Sequence, residues 1–121
     1  MAEDLLLVAE DWQSRALVLA ELQEAGYEVN AQAGLRQALS HLARHPEHPP
    51  LVVLDLHGDE FATPETVNAM LRLVPKAKLI LIVGVYAEPV WDRFATEGNV
   101  VLRRPVSVGE IVGQVKRIVP R

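Results

Sequence analysis

Three carboxylates stand where they could act together. Glu10 and Asp11 follow the apolar run Leu5-Leu6-Leu7-Val8-Ala9, and Asp55 closes a second such run, Leu51-Val52-Val53-Leu54. If the two runs are neighbouring strands, the acids converge in one crevice although the chain separates them widely. Left unpaired they would repel, which raises the cost of ionising each one. A divalent cation relieves that repulsion. An all-oxygen donor set suits Mg²⁺, which keeps several waters, better than zinc, which favours His or Cys. A single acid at a strand end is ordinarily there for solvation, but three at one crevice point to a site. On this reading, removing the charge of Asp55 leaves the metal-free fold intact or makes it more stable.

The elements that must position these acids alternate in type. The run Leu5–Ala9 feeds a helix from Trp12 to Ala25, with Ala16, Leu19 and Leu22 as its buried stripe, and Gly26 stops it. An extended segment from Tyr27 to Ala31 precedes a second helix marked by Leu35, Ala38, Leu39 and Leu42, which the segment from Pro46 to Pro50 ends. Thr63 before Pro64 opens a third helix carrying Val67, Met70, Leu71 and Val74. Strand Leu79–Val83, a short helix Pro89–Glu97 with Val90, Trp91 and Phe94 inward or partner-facing, and strand Val100–Leu102 follow. Ser107 to Glu110 fits a capping box for a last helix, whose one face holds Val108, Ile111, Val112, Val115, Ile118 and Val119.

Strands that read as unbroken apolar runs are buried on both faces, which calls for a parallel sheet covered by helices on each side. Right-handed crossovers then favour a doubly wound α/β fold, five parallel strands in the flavodoxin-like order 2-1-3-4-5. Its ligand crevice lies at the carboxyl ends of strands 1 and 3, and those ends carry the acids.

Composition bounds the function. The 121 residues form one domain, 1–121, half of them hydrophobic, with no cysteine. No signal segment at Met1–Ala9 and no bilayer-length apolar run are evident, so a cytoplasmic protein without membrane partners is expected. A formal charge of −4 argues against direct nucleic-acid binding, and the basic pair Arg103-Arg104 is too small to offset it. A flavin carrier is disfavoured because the first loop, Glu10-Asp11-Trp12-Gln13-Ser14, has no glycine and two acids where a phosphate cradle should be electropositive. A metal nuclease is disfavoured because Asp55-Leu56-His57 lacks paired aspartates.

The segments Leu7-Val8-Ala9-Glu10-Asp11, Val52-Val53-Leu54-Asp55-Leu56 and Arg104-Pro105 resemble, in order and across the whole chain, the signatures of bacterial response-regulator receiver domains. The resemblance implies a non-enzymatic domain of two-component signal transduction. Asp55 would accept a phosphoryl group from a histidine kinase, a phosphotransfer protein or a small phosphodonor. Asp11, Asp55 and the His57 carbonyl would hold Mg²⁺, helped by Glu10. A downstream effector protein would read the result, and a homodimer could form through the helix 4, strand 5, helix 5 face, where Trp91 and Phe94 could lie. The chain departs from the family at four places. Arg104 stands for the phosphoryl-contacting lysine, and arginine is a wider planar fork. Val83, or at the latest Gly84, stands for the hydroxyl residue ending strand 4, and neither has a side-chain hydrogen bond to give. Val101 replaces the aromatic switch residue, and the Met-Pro usual after the phosphoacceptor is replaced across His57-Gly58-Asp59. An alternative is therefore a pseudo-receiver that binds partner proteins without being switched by phosphate.

His41 and His45 lie four apart on the second helix, a spacing that can hold a metal. Solvent-facing histidines that suit the helix dipole are the simpler expectation. Trp12 is expected at the mouth of the crevice.

Overall fold

The computed structural model describes residues 3–45 and 47–121; Met1, Ala2 and Pro46, the first residue of the segment expected to end the second helix, lie outside them. Strands β1 (Leu5–Ala9), β2 (Val29–Gln32), β3 (Leu51–Asp55), β4 (Lys78–Val83) and β5 (Val100–Arg103) form one parallel sheet in the order β2-β1-β3-β4-β5. That is the order the apolar runs predict. Helices α1 (Trp12–Glu24), α2 (Leu35–Arg44), α3 (Pro64–Leu73), α4 (Arg93–Thr96) and α5 (Val108–Ile118) connect and cover the strands.

Strand alternation builds two cores from the same runs. Leu6, Val8, Val52, Leu54, Leu79 and Leu81 face α2, α3 and Phe94, whereas Leu5, Leu7, Val53, Ile80 and Ile82 face α1 and α5. β1, β3 and the apolar part of β4 are buried throughout, and the edge strands β2 and β5 only half so. Each fully buried Leu or Ile contributes about 1.5–3 kcal/mol relative to exposure, which makes the three central strands the rigid base under the acids.

Helix boundaries follow their chemistry. Thr63 caps α3 reciprocally with Thr66, a Thr-Thr capping box followed by Pro64 in the first turn. Ser107 Oγ accepts from the Glu110 amide at 3.1 Å and starts α5, whose predicted stripe packs on the α1 side of the sheet. In α1 the buried residues are Val18 and Leu22, with Leu19 partly buried, while the expected Ala16 is exposed. The fourth helix is shorter than its predicted span. Pro89–Asp92 form a 3₁₀ turn, and only Arg93–Thr96 are α-helical. No helix of the described residues is long and apolar enough to cross a membrane.

Candidate functional site

Strand register assembles the site. Ala9 pairs with Asp55 across β1 and β3, so Glu10 and Asp11 leave β1 beside the end of β3. Asp55 pairs onward with Ile82, and Val83 with Arg103, which brings the β5 exit and Arg104 to the same edge. The ladder continues past the strand ends: Leu56 N donates to Ile82 O, and Arg104 N to Val83 O. Asp11, Asp55, His57 and Arg104 thus come together at the carboxyl edge.

Asp55 is 5% exposed and engages both carboxylate oxygens. Arg104 Nη2 donates to Oδ2 in an ion pair, and the His57 amide donates to Oδ1 at 3.0 Å. Arg104 also keeps a buried Nε without an acceptor. A buried charge is tolerated when paired and hydrogen-bonded, and Asp55 is both. The expectation of unrelieved repulsion is therefore corrected: the chain carries its own counter-cation.

Asp11 is the N-cap of α1. Its Oδ2 accepts from the Ser14 amide at 3.0 Å, and that amide, with the charges of His57 and Arg104, holds the carboxyl below its ordinary pKa. Arg15 fixes the loop behind it by donating from Nη1 to Ala9 O at 2.6 Å. Glu10 is exposed and turns toward α2. A Cβ placed on Gly34 would lie 2.5 Å from Glu10 Oε2, and Gly34 has φ +147°, so this position demands glycine twice over. Among the described residues, no three His, Cys, Asp or Glu side chains group closely enough as they stand to hold a metal. Mg²⁺ needs only one or two carboxylates beside its waters, and the hard oxygens of Asp11 and Asp55 fit it on those terms.

A second buried acid escaped the sequence reading. Asp59 Oδ2 accepts from the Leu35 amide at 2.8 Å, capping α2 from another loop. The signal was indirect: Gly34 has no side chain with which to cap its own helix, so the cap had to come from elsewhere. Asp59, Glu10, Arg36, Gln37 and Phe61 line a polar hollow of about 270 Å³ next to the acids.

No protein-family model and no curated protein sequence matches the chain. Solved structures do. The chemotaxis protein CheY4 of Vibrio cholerae is 20% identical with a TM-score of 0.75, the match covering 94% of this chain and 96% of that one. A CheY-like response regulator receiver domain protein of Methanospirillum hungatei is 21% identical with a TM-score of 0.79, over 97% and 93%. A response regulator receiver protein of Sinorhizobium medicae is 19% identical with a TM-score of 0.75, over 94% and 91%. The chain has the response-regulator receiver fold.

Within that fold, the departures foreseen in sequence have places. Val83 is fully buried at the end of β4, Gly84 is exposed, and Val101 is half-buried against the α2 side of the core. Trp91 and Phe94 are buried and stacked, with centroids 5.8 Å apart, so neither forms a partner surface. The apolar residues exposed there are Val85, Val90 and Tyr86, the last 94% exposed. Trp12, at 64%, stands out from the start of α1 into solvent. Arg103, read earlier only as half of a small basic pair, staples the β4–α4 loop. Its Nη1 donates to Ala87 O at 3.0 Å and Gly84 O at 3.4 Å, and its Nη2 pairs with Asp92 at 3.1 Å. Both carbonyls belong to the Gly84–Ala87 turn, which is closed by Ala87 N donating to Gly84 O. The turn holds Val85 and Tyr86 at its tip.

Proposed function

We propose that this chain is a receiver domain of two-component signal transduction, accepting a phosphoryl group on Asp55 and working in the cytoplasm between a histidine kinase or phosphotransfer protein and an effector protein. The observation that carries the reading is Asp55 at the switch point, buried, ion-paired with Arg104 and flanked by ionised Asp11. A carboxylate oxygen of Asp55 attacks phosphorus. The new O–P bond forms as the donor's P–N bond breaks, and the leaving imidazole takes its proton from solvent. Arg104 moves from Oδ2 to the phosphoryl oxygens and keeps the charge compensated. The His57 amide on Oδ1 holds the carboxylate plane while Oδ2 reacts. Bound Mg²⁺, on Asp11, Asp55 and the His57 carbonyl, with Glu10 reaching it at most through water, would neutralise charge on the transferring group.

A second reading, a protein-interaction domain not switched by phosphate, is favoured by one specific arrangement. Arg104 already neutralises Asp55, and buried Val83 stands where a hydroxyl would meet the phosphoryl group. Intact-mass measurement after incubation with acetyl phosphate and Mg²⁺ separates the two. A single phosphoryl increment, absent without Mg²⁺ and absent in Asp55→Asn, is expected. An unmodified mass, with Asp55→Asn binding the effector as wild type does, would select the second reading.

A further inference from the structure

The end of the sheet opposite Asp55 carries a hollow of about 430 Å³, within the range of about 300–1,000 Å³ usual for small-molecule sites. Two loops wall it. His48, Pro49 and Pro50 precede β3, and Val74, Pro75, Lys76 and Ala77 join α3 to β4. The loops are fastened to their surroundings: Lys78 N donates to Pro50 O at 2.9 Å, and Ala77 N to Val74 O at 2.9 Å. His48 Nε2 lies 3.2 Å from Leu42 O, an atom that can only accept, so this nitrogen carries the proton and the bond sets the ring in the wall. Three proline rings stiffen the backbone, and the hollow is formed before any ligand enters. His41 and His45 of α2 stack on each other with centroids 4.1 Å apart, His41 half-buried beside Asn30 and not solvent-facing as expected, and neither lines the hollow.

The chemistry of the wall selects its occupant. Prolines, Val74 and Ala77 make it mainly apolar, and an aromatic ring suits it because the electron-rich face attracts the polarised C–H groups of proline. No acid lines it. In a chain of net charge −4, its fixed charge is the exposed Lys76, which forms no ion pair among the described residues. An adjoining hollow that shares Val74 to Ala77 includes Glu97, so its charge is mixed. Donors decide between anions. Proline has no N–H, and the Ala77 and Lys78 amides are already bonded to loop carbonyls. A phosphate would leave most of its oxygens without donors here, whereas a carboxylate at the rim needs one ammonium and water. We propose that this hollow is a binding site for a small aromatic carboxylate, its ring against the prolines and Val74 and its carboxylate on Lys76.

The test is an amide NMR titration of the full chain with phenylacetate. The Val74, Lys76 and Ala77 amides should shift together and saturate, with a Kd on the order of 1 mM or tighter. Lys76→Gln changes an exposed residue and should weaken binding about threefold or more while leaving the rest of the spectrum in place. Phenylacetamide, which keeps the ring without the charge, should lose as much, and acetate, which keeps the charge without the ring, should not saturate. Asp55→Asn should bind as wild type does. Indifference to Lys76→Gln, or equal affinity for phenylacetamide, would remove the carboxylate from Lys76 and overturn the proposal. Inorganic phosphate or acetate moving the same amides as strongly would reduce the hollow to a general anion contact and overturn it as well. So would absence of saturation, or shifts that follow Asp55 instead.

Discussion

Arg104, carried on the loop after the edge strand β5, forms an ion pair with Asp55 at the end of the central strand β3, reaching across β4 to do so. Asp55 is nearly enclosed whereas Arg104 is about a third exposed, so the two partners are unequal. Replacing Arg104 with Met leaves a buried carboxylate without its counter-charge and should cost about 1–3 kcal/mol, discounted from a fully buried pair for the solvent at Arg104. Asp55→Asn keeps an acceptor for the His57 amide and frees a cation that water can reach, so it should cost about 1 kcal/mol or less. Urea denaturation of both variants and of the double variant checks the order. An Asp55→Asn protein more stable than wild type would restore the picture of repelling acids.

Asp59 and Gly34 should be sensitive positions although neither belongs to the apolar core. Asp59→Ala strands the Leu35 amide and should destabilise by about 1–3 kcal/mol. Gly34→Ala suffers both the approach to Glu10 and the positive φ, so pairing it with Glu10→Ala should recover only part of its loss. Full recovery in thermal melts would mean the backbone conformation carries no cost there.

Phosphorylation of Asp55 should move the β4–α4 surface little. A ligand shifts a conformational equilibrium only through contacts that differ between states, and here the loop is held by Arg103 while Val83 offers no hydroxyl. Amide spectra with and without beryllofluoride should change around Asp11, Asp55 and Arg104 and stay fixed at Val85 and Tyr86. In Arg103→Ala the Val85 and Tyr86 amides should exchange faster with solvent, with a stability loss of about 1 kcal/mol or less.

Phe94→Ala should cost about 3–5 kcal/mol, as emptying a filled core position does. If Phe94 served a partner surface instead, the melting temperature would barely move.

Acid should unfold the chain through its held carboxylates. Arg121, with the Glu28 amide, keeps Asp4 below its ordinary pKa, and the Ser14 amide does so for Asp11. A depressed folded-state value adds stability above the unfolded value of about 4, and that stability disappears as the pH falls through the folded value. Asp4→Asn should flatten the fall in melting temperature below about pH 4; an unchanged slope would remove Asp4 from the acid transition.

The sheet order and the acids were legible because the buried runs are continuous and end in charge. What stayed hidden depends on side chains that cross between loops. Nothing near Asp59 in sequence announces that it caps a helix beginning at Leu35, and Arg103 looks like its neighbour until the Gly84–Ala87 turn closes above it. In α1, alanine and leucine alternate so densely that no phase stands out, hence Ala16 in place of Val18. Trp91 and Phe94 were ambiguous because a helix of four residues after a 3₁₀ turn has too few positions to define a face.

Arg103 and Arg104 are consecutive, yet one serves the Gly84–Asp92 segment and the other Asp55, because neighbouring residues at a strand end point to opposite faces. The division of labour is thus a matter of register. A single-residue insertion or deletion between Val100 and Pro105 would deliver each guanidinium to the other's side of the sheet, unpairing Asp55 and freeing the tyrosine-bearing turn at one stroke. Substitutions along β5 can be absorbed one at a time, but a change in its length cannot.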